Sequence, residues 1–425
     1  MIDIKLIRED RELVKKNIKK KFQDEKLGLV DEVYELDKKY RELKVLGDNL
    51  RKDRNSISEN IGALIRSGKK EEAELEKSKV VEINNKLIEC EKEEVCLEEN
   101  IREIMYKIPN IIDSSVPLGE NDSKNVEVKR YGEAKVPSYE IPYHSLIMEK
   151  FNGLDKDASG KTSGNGFYYL MGDIAMLHSA MLSYARDFMV DKGFTYCIPP
   201  FMIRSDVVSG VMSFEEMNNM MYKIENEDLY LIGTSEHSMI GRFKNEIINE
   251  DKLPITLTSY SPCFRKEVGA HGIEERGVYR VHQFEKEEMI VLCKENESME
   301  WYKKMKDYTI EFFRSLNVPV RELECCSGDL ADLKVKSCDI EAWSPRQQKY
   351  FEVGSCSNLS DAQARRLGIR YKNESGNNLV HTLNNTVVAS PRGLIAVIEN
   401  NYNEDGTITI PTALRKYMGN KEIIK

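Results

Sequence analysis

No proline occurs in the first 108 residues; the first of the chain's 12 is Pro109. Nothing of that kind interrupts helices over the whole stretch. Long apolar runs are also missing. None approaches the roughly 18 residues that span a bilayer, and the opening MIDIKLIRED has no apolar core of signal-peptide length. Neither membrane insertion nor export is expected, and the predicted location is the cytoplasm. The nine cysteines contain no CxxC pair, which argues against a zinc knuckle or a disulfide framework. There is no GxGxxG and no GxxxxGK followed by Ser or Thr, so a nucleotide site here is neither Rossmann nor P-loop. His237, His271, His282 and His381 are too scattered for a metal cluster or a hydrolytic triad. Positive charge is short too. Against 72 acids stand 63 bases, a net charge of −9 that disfavours indiscriminate nucleic-acid binding but leaves room for a local basic stripe.

What is present divides in two. At 425 residues two domains are the natural expectation. Composition breaks near Ile108-Pro109-Asn110, giving a predicted boundary between 1–110 and 111–425. Before the break, Leu29, Val33, Leu36, Tyr40, Leu43, Leu46, Leu50, Ile57, Ile61 and Leu64 follow steps of three, four and seven. That spacing is one apolar seam on a helix. Ser67-Gly68 marks a turn. A second seam follows at Ile83, Leu87, Cys90, Leu97, Ile101, Ile104 and Ile108, so the two helices should fold back as an antiparallel hairpin projecting into solvent. Near its tip stand Arg51, Lys52, Arg54, Arg66, Lys69 and Lys70, read as having few acids between them. They are either a solvated surface or a phosphate-contacting finger whose grip weakens as salt rises.

Beyond a linker, Leu177, Met181, Ala185, Phe188 and Met189 share one helical face. The stretches DLYLIGT, TLTSYSPCFRKEV, YRVHQFEKEEMIVLC, SCDIEAWSP and KYFEVGSCS are rich in β-branched and aromatic residues at hairpin separations. They predict an antiparallel sheet. A last apolar helix starts after Pro391-Arg392. The predicted class is α+β: a helical hairpin plus a sheet flanked by helices.

Four clusters have the character of a site. CFRKEVGAHGIEERGVYRVHQFEKEEM carries Arg265, Glu267, Arg280, Phe284 and Glu288. GTSEHS places Thr234, Ser235 and Glu236 at a strand end. EVGSCSN holds Glu352, Ser355 and Asn358, and LNNTVVASPRG holds Asn384, Thr386 and Arg392. Each alone reads more readily as surface charge. Together they supply guanidinium forks for phosphates, oxygen ligands for a hard cation, and acids and hydroxyls for a small polar ammonium compound.

In order and spacing the chain resembles the seryl-tRNA synthetase family, class II aminoacyl-tRNA synthetases, over essentially its whole length. GFTYCIPPFM is similar to motif 1 of the class, FRKEVG…RVHQFEKEEM to motif 2 and ASPRGLIAVIENNY to motif 3. SCDIEAWSPRQQKYFEVGSCSNLSDAQARR and DGTITIPTALRKYMG match stretches more specific to the family. The resemblance implies a class II catalytic domain at 111–425 that ligates L-serine to tRNA(Ser) through a seryl-adenylate, charging tRNA(Sec) as well where that exists. It implies ATP as substrate, Mg²⁺ as cofactor and a homodimer, with no membrane or DNA partner. Arg265 and Arg392 would be the catalytic pair. The nucleotide would be held by Arg265, Lys266, Glu267, Arg280, Val281, His282, Gln283, Phe284, Glu352, Val353, Gly354, Ser355 and Arg392, with Phe284 stacking on adenine and Glu352 and Ser355 on the metal. Thr234, Ser235, Glu236, Glu288 and Thr386 would bind serine. The helical arm 1–110 would grip the long variable arm of tRNA(Ser) through Arg51, Lys52, Arg54, Arg66, Lys69 and Lys70. Gly269, Gly272 and Gly277 would let the motif 2 loop change shape as the tRNA end arrives. TSEHS, and Pro391 before the motif arginine, depart from the common family pattern, as a specialised second copy would. An amino acid:carrier-protein ligase shares such an adenylating core but lacks the arm.

Overall fold

The computed structural model describes residues 1–267 and 277–425; Gly269, His271 and Gly272 lie outside the described residues. The chain divides into two compact units, one made of Ile2–Lys19 and Gln23–Pro109, the other of Met1, Lys20–Phe22 and Asn110–Lys425.

In the first unit the proline-free stretch forms two long helices, Leu27–Arg66 and Lys70–Met105, joined through Ser67, Gly68 and Lys69. Gly68 has φ +79°, a left-handed conformation that side chains rarely adopt and that a tight reversal needs. On the second helix Leu87, Cys90, Leu97, Ile101 and Ile104 are buried as predicted, joined by Ala73 and Met105. The first helix departs from its predicted seam. Leu46 is 48% exposed, and the neighbouring Gly47 faces inward instead, where a Cβ would lie 3.2 Å from the Glu94 carboxylate. A helix of 3.6 residues per turn drifts against a seven-residue repeat, so an apolar pattern assigned one position off rotates out of the contact. Asp37 is buried in the same seam. It accepts from Arg8 Nε at 2.8 Å and Nη2 at 2.7 Å, and from Arg41 Nε at 2.9 Å. A charge at a buried position is invisible to a hydrophobic count. Two short helices, Ile4–Glu9 and Arg11–Lys20, precede the hairpin and bury Ile7, Val14 and Ile18; no reading of the sequence placed them.

In the second unit eight strands form one sheet. Their order is Val126–Tyr131, Val320–Glu324, Lys336–Ser344, Lys349–Asn358, His381–Ser390, Gln283–Cys293, Ile255–Phe264 and Thr195–Tyr196. Every pairing is antiparallel except the last, which is parallel. The helices Gly172–Asp191, Ser298–Ser315 and Arg392–Asn400 pack against it, and the core runs through Met181, Phe312, Val291, Cys356 and Leu394. Ile255–Phe264 and Gln283–Cys293 flank the segment with the motif 2 loop. Gln283–Cys293 is also paired with His381–Ser390, so Glu288 lies opposite Ser259 on one side and Thr386 on the other. Residues far apart in sequence therefore share the middle of one sheet.

Candidate active site

Two adjoining cavities of about 270 Å³ each open on this sheet, and they share Arg265, Lys286, Glu352 and Thr386 as a common wall. Alternation along Gln283–Cys293 decides which side chains reach them. Phe284, Lys286 and Glu288 point to the cavities, while Glu285 and Glu287 point to the opposite face.

The first cavity is lined by Arg265, Glu267, Arg280, Val281 and Phe284 from the motif 2 segment. Glu352, Val353 and Gly354 come from Lys349–Asn358, and Arg392 opens its helix. Arg265 Nε donates to the Gly233 carbonyl at 3.2 Å, and its guanidinium lies 5.2 Å from the Phe284 ring centre. Arg280 Nη1 meets Glu267 Oε2 at 3.2 Å. Arg392 Nη1 donates to Glu352 Oε2 at 2.8 Å, and its guanidinium sits 4.5 Å over Tyr279. Burial works against the Arg392 charge, but Glu352 and Tyr279 more than offset it and raise its pKa, so the guanidinium stays protonated. Gly277 closes the loop from the far side. With φ +81°, a Cβ there would fall 2.3 Å from His144 Nε2, which accepts from the Val278 amide at 3.2 Å. Glycine at 277 is thus required by close packing in addition to any freedom of the loop.

The second cavity is lined by Thr234, Glu236, Glu288, Thr386, Asn384 and Ser355. GTSEHS follows the end of the short strand Tyr230–Leu231, and Thr234 there caps a helix, Ser235–Gly241, by accepting from the Glu236 amide at 3.3 Å. The capping geometry turns Glu236 toward the cavity and buries Ser235 completely, its hydroxyl 3.5 Å from the Ser259 carbonyl. Glu236 is pushed up to about 7, first by burial and then by Glu288; its hydrogen bond from Gln363 at 2.8 Å opposes the shift. Glu288, 1% exposed at its side chain, receives Thr234 Oγ1 at 3.4 Å on Oε2. These are two carboxylates facing one small space, a place for a compact cation carrying a hydroxyl.

Four predicted contacts fall elsewhere. Ser235 is sealed in its helix. The Lys266 ammonium reaches the Asn218 carbonyl at 3.4 Å, and Gln283 is exposed at the end of its strand. His282 packs its ring against Phe167 and Tyr222, with Nδ1 3.0 Å from the Arg265 carbonyl. Conversely, Lys286 lines both cavities and went unread, as did Tyr279 and Lys334. The signal for Lys286 was available: it shares a strand face with Phe284 and Glu288 at steps of two. His237, which the sequence offers neither as a metal ligand nor as a triad member, also lines the second cavity. Burial, then Arg265 and Lys286, depress it to about 3, keeping the ring neutral.

In the helical unit, Arg51, Lys52 and Arg54 stand well below the tip, about 18–23 Å from Arg66 at 1.5 Å per residue. Arg51 is held by Asp48 at 2.8 Å and Glu91 at 3.4 Å, Lys69 by Glu72 at 2.9 Å, and Arg66 Nε donates to the Gly62 carbonyl. Acids are closer to these cations than expected. The helix Lys70–Met105 carries 12 acids against 6 bases, whereas Leu27–Arg66 balances 8 against 8, so the helix Leu27–Arg66 is the one able to face a polyanion.

Comparison with known proteins adds full-length likenesses. Residues 1–112 match the family described as the seryl-tRNA synthetase N-terminal domain, and residues 220–401 the tRNA synthetase class II core domain (G, H, P, S and T). A serine–tRNA ligase of Thermococcus sibiricus is 41% identical, aligned over 100% of this chain and 98% of its own length. One from Methanospirillum hungatei is 38% identical over 100% of both. Among solved structures, seryl-tRNA synthetase from Pyrococcus horikoshii complexed with ATP superposes with a TM-score of 0.94 at 39% identity, covering 100% of this chain and 99% of that one. A cytoplasmic counterpart from Naegleria fowleri in complex with AMP gives 0.89 at 30% identity, again over 100% and 99%.

Proposed function

The chain belongs to the seryl-tRNA synthetase family, and from that premise we propose that it activates L-serine with ATP and transfers the seryl group to tRNA(Ser). The observation that supports this most directly is the shared wall. One cavity is lined by arginines suited to phosphates, the other by acids suited to an ammonium and a hydroxyl, and Arg265 borders both. A serine carboxylate and an α-phosphate brought to that wall are placed for in-line displacement. The carboxylate oxygen bonds to the α-phosphorus, the bond to the bridging oxygen breaks, and pyrophosphate leaves. No proton need move, so catalysis is positioning and fixed positive charge. Arg265 holds the α-phosphate and Arg392, with Arg280, the terminal phosphates, while Phe284 stacks on adenine. Glu236 receives the ammonium; Glu288 and Thr386 read the hydroxyl. A terminal ribose hydroxyl of the tRNA then attacks the seryl carbonyl of the adenylate; the ester bond forms, the carbonyl–phosphate oxygen bond breaks, and AMP leaves with the hydroxyl proton passing to its phosphate.

Mg²⁺ suits this donor set. Glu352 and Ser355 offer hard oxygens, and Asp339 opposite Ser355 is pushed up by burial and by Glu352, a crowding of acids that a divalent cation relieves. Glu352 and Ser355 would hold the ion, which would neutralise phosphate charge.

The division of labour follows the predicted boundary: 1–110 grips the variable arm of the tRNA and 111–425 performs both chemical steps. A homodimer through motif 1 accounts for apolar side chains left open there, Ile198 at 71% and Met202 at 46% exposure. No helix among the described residues is long and apolar enough to cross a membrane. All nine cysteines are free, which fits a reducing cytoplasm.

Serine-dependent ATP–pyrophosphate exchange, then charging of tRNA(Ser) and of tRNA(Sec), tests the assignment; exchange with no charging of either tRNA would point to the carrier-protein ligase. Glu288→Ala should raise the serine KM far more than the ATP KM and erode rejection of alanine, which leaves buried polar groups unpaired at a cost of about 10⁴-fold in comparable sites. Equal effects on both substrates would refute the role given to Glu288.

A further inference from the structure

Lys286 is a buried cation that none of the assigned contacts uses. Its side chain is 7% exposed and its ammonium is in direct contact with Glu288 Oε2, the oxygen that Thr234 also approaches. Glu288 is the acid that reads the serine hydroxyl in the function proposed above, so before serine arrives its partner is supplied by the chain itself. Lys286 is at the same time part of the wall common to both cavities, beside Arg265 and Glu352.

We infer that Lys286 acts in the activation step by exchanging partners: it rests on Glu288, and is released toward the junction of serine carboxylate and α-phosphate when the substrate hydroxyl and ammonium take over Glu288 and Glu236. The inference rests on the serine-activating reading. Leaving a carboxylate this deeply buried without a partner is unfavourable, so a cation against Glu288 is favoured both before and after serine binds. Serine brings one cation to the acids and, with ATP, several anions to the shared wall, so the field that holds Lys286 on Glu288 weakens as the field toward the wall grows. A flexible four-carbon stem permits the shift without backbone movement, which the planar fork of arginine would not match. The exchange has two consequences. Glu288 is held in place without solvent, and a further positive charge reaches the phosphorus only when the amino acid is present.

The test separates this role from mere support of Glu288. In serine-dependent pyrophosphate exchange, Glu288→Gln is compared with the double variant Lys286→Met/Glu288→Gln, which leaves no unpaired buried charge and so removes the obvious reason for misfolding. If Lys286 works only through Glu288, the second substitution adds nothing. The exchange of partners is expected to lower kcat a further 10²-fold or so, the loss typical of one transition-state donor, with serine KM changed less than about threefold. Lys286→Arg alone should retain more kcat than Lys286→Met, since charge is kept, and less than the unaltered protein, since its fork matches the shift poorly. Equal kcat in the single and double variants, or a loss confined to serine KM, overturns the inference. Absence of serine-dependent exchange in the unaltered protein would instead defeat the functional reading beneath it.

Discussion

Both units bury charge, and they do so to opposite ends. In the helical hairpin Asp37 is fully enclosed, and its two oxygens are met by Arg8 and Arg41 in three hydrogen bonds. Burial alone would raise its pKa; the two guanidinium groups reverse that and hold it below the ordinary carboxylate range. In the sheet unit Glu236 and Glu288 face the same cavity, Glu236 is left half-neutral near pH 7, and His237 is kept neutral with its Nδ1 unpartnered among the described residues. A finished network specifies shape. An unfinished one is completed by a ligand, and its strain is the affinity for that ligand.

Removing the distal hairpin is the strongest way to sharpen this contrast. Replacing residues 48–91 by a short glycine linker, just beyond the Gly47–Glu94 approach, should abolish tRNA charging while exchange stays within about twofold; normal charging would break the assignment of the hairpin to tRNA. Next in size is Arg392→Ala, expected to lower exchange by 10²–10³-fold with the protein still folded. Retention of activity would remove the phosphate clamp.

A smaller effect comes from pH. Glu236 has a raised pKa, so the neutral form is the one the fold favours. Its contribution to stability is complete below about 4.5 and is lost as pH rises through about 7. In the proposed role, serine would reverse the preference by offering an ammonium to the ionised form. Serine KM should therefore fall about tenfold from pH 6 to pH 8 and level off above, and Glu236→Gln should flatten the profile. A flat profile in the unaltered protein would show that Glu236 is not the ammonium partner. The smallest effect belongs to the finished network. Asp37→Ala should cost about 1–3 kcal/mol, seen as a lower Tm, and leave exchange untouched. Because the Asp37 pKa is depressed, its contribution should be present above pH 4 and vanish as pH falls through the folded value. Any change in serine KM would mean the two units are not separable in this way.

Legibility differed between the units for physical reasons. The long helices were readable because proline is absent and apolar steps recur, yet Leu46 and Gly47 were exchanged, since periodicity fixes a stripe only to within one position. Several strands were readable from β-branched runs, though Val320–Glu324 and His381–Ser390 were not among them. Within the site, resemblance supplied the candidates on motif stretches, and what it left open was direction. Ser235, Lys266, His282 and Gln283 belong to the right segments but point away from both cavities.

Lys286 went the other way, a lysine on an acidic strand that sequence counts as solvated and the sheet turns inward. The amino-acid order by itself determined the helical hairpin, part of the strand set and the supply of arginines and acids, because these depend on neighbours a few residues apart; the strands Val320–Glu324 and His381–Ser390 went unassigned. Only the tertiary structure decided that Arg265, Lys286, Glu352 and Thr386 form one wall, because sheet pairing, strand alternation and a helix cap set their directions across more than a hundred residues of chain.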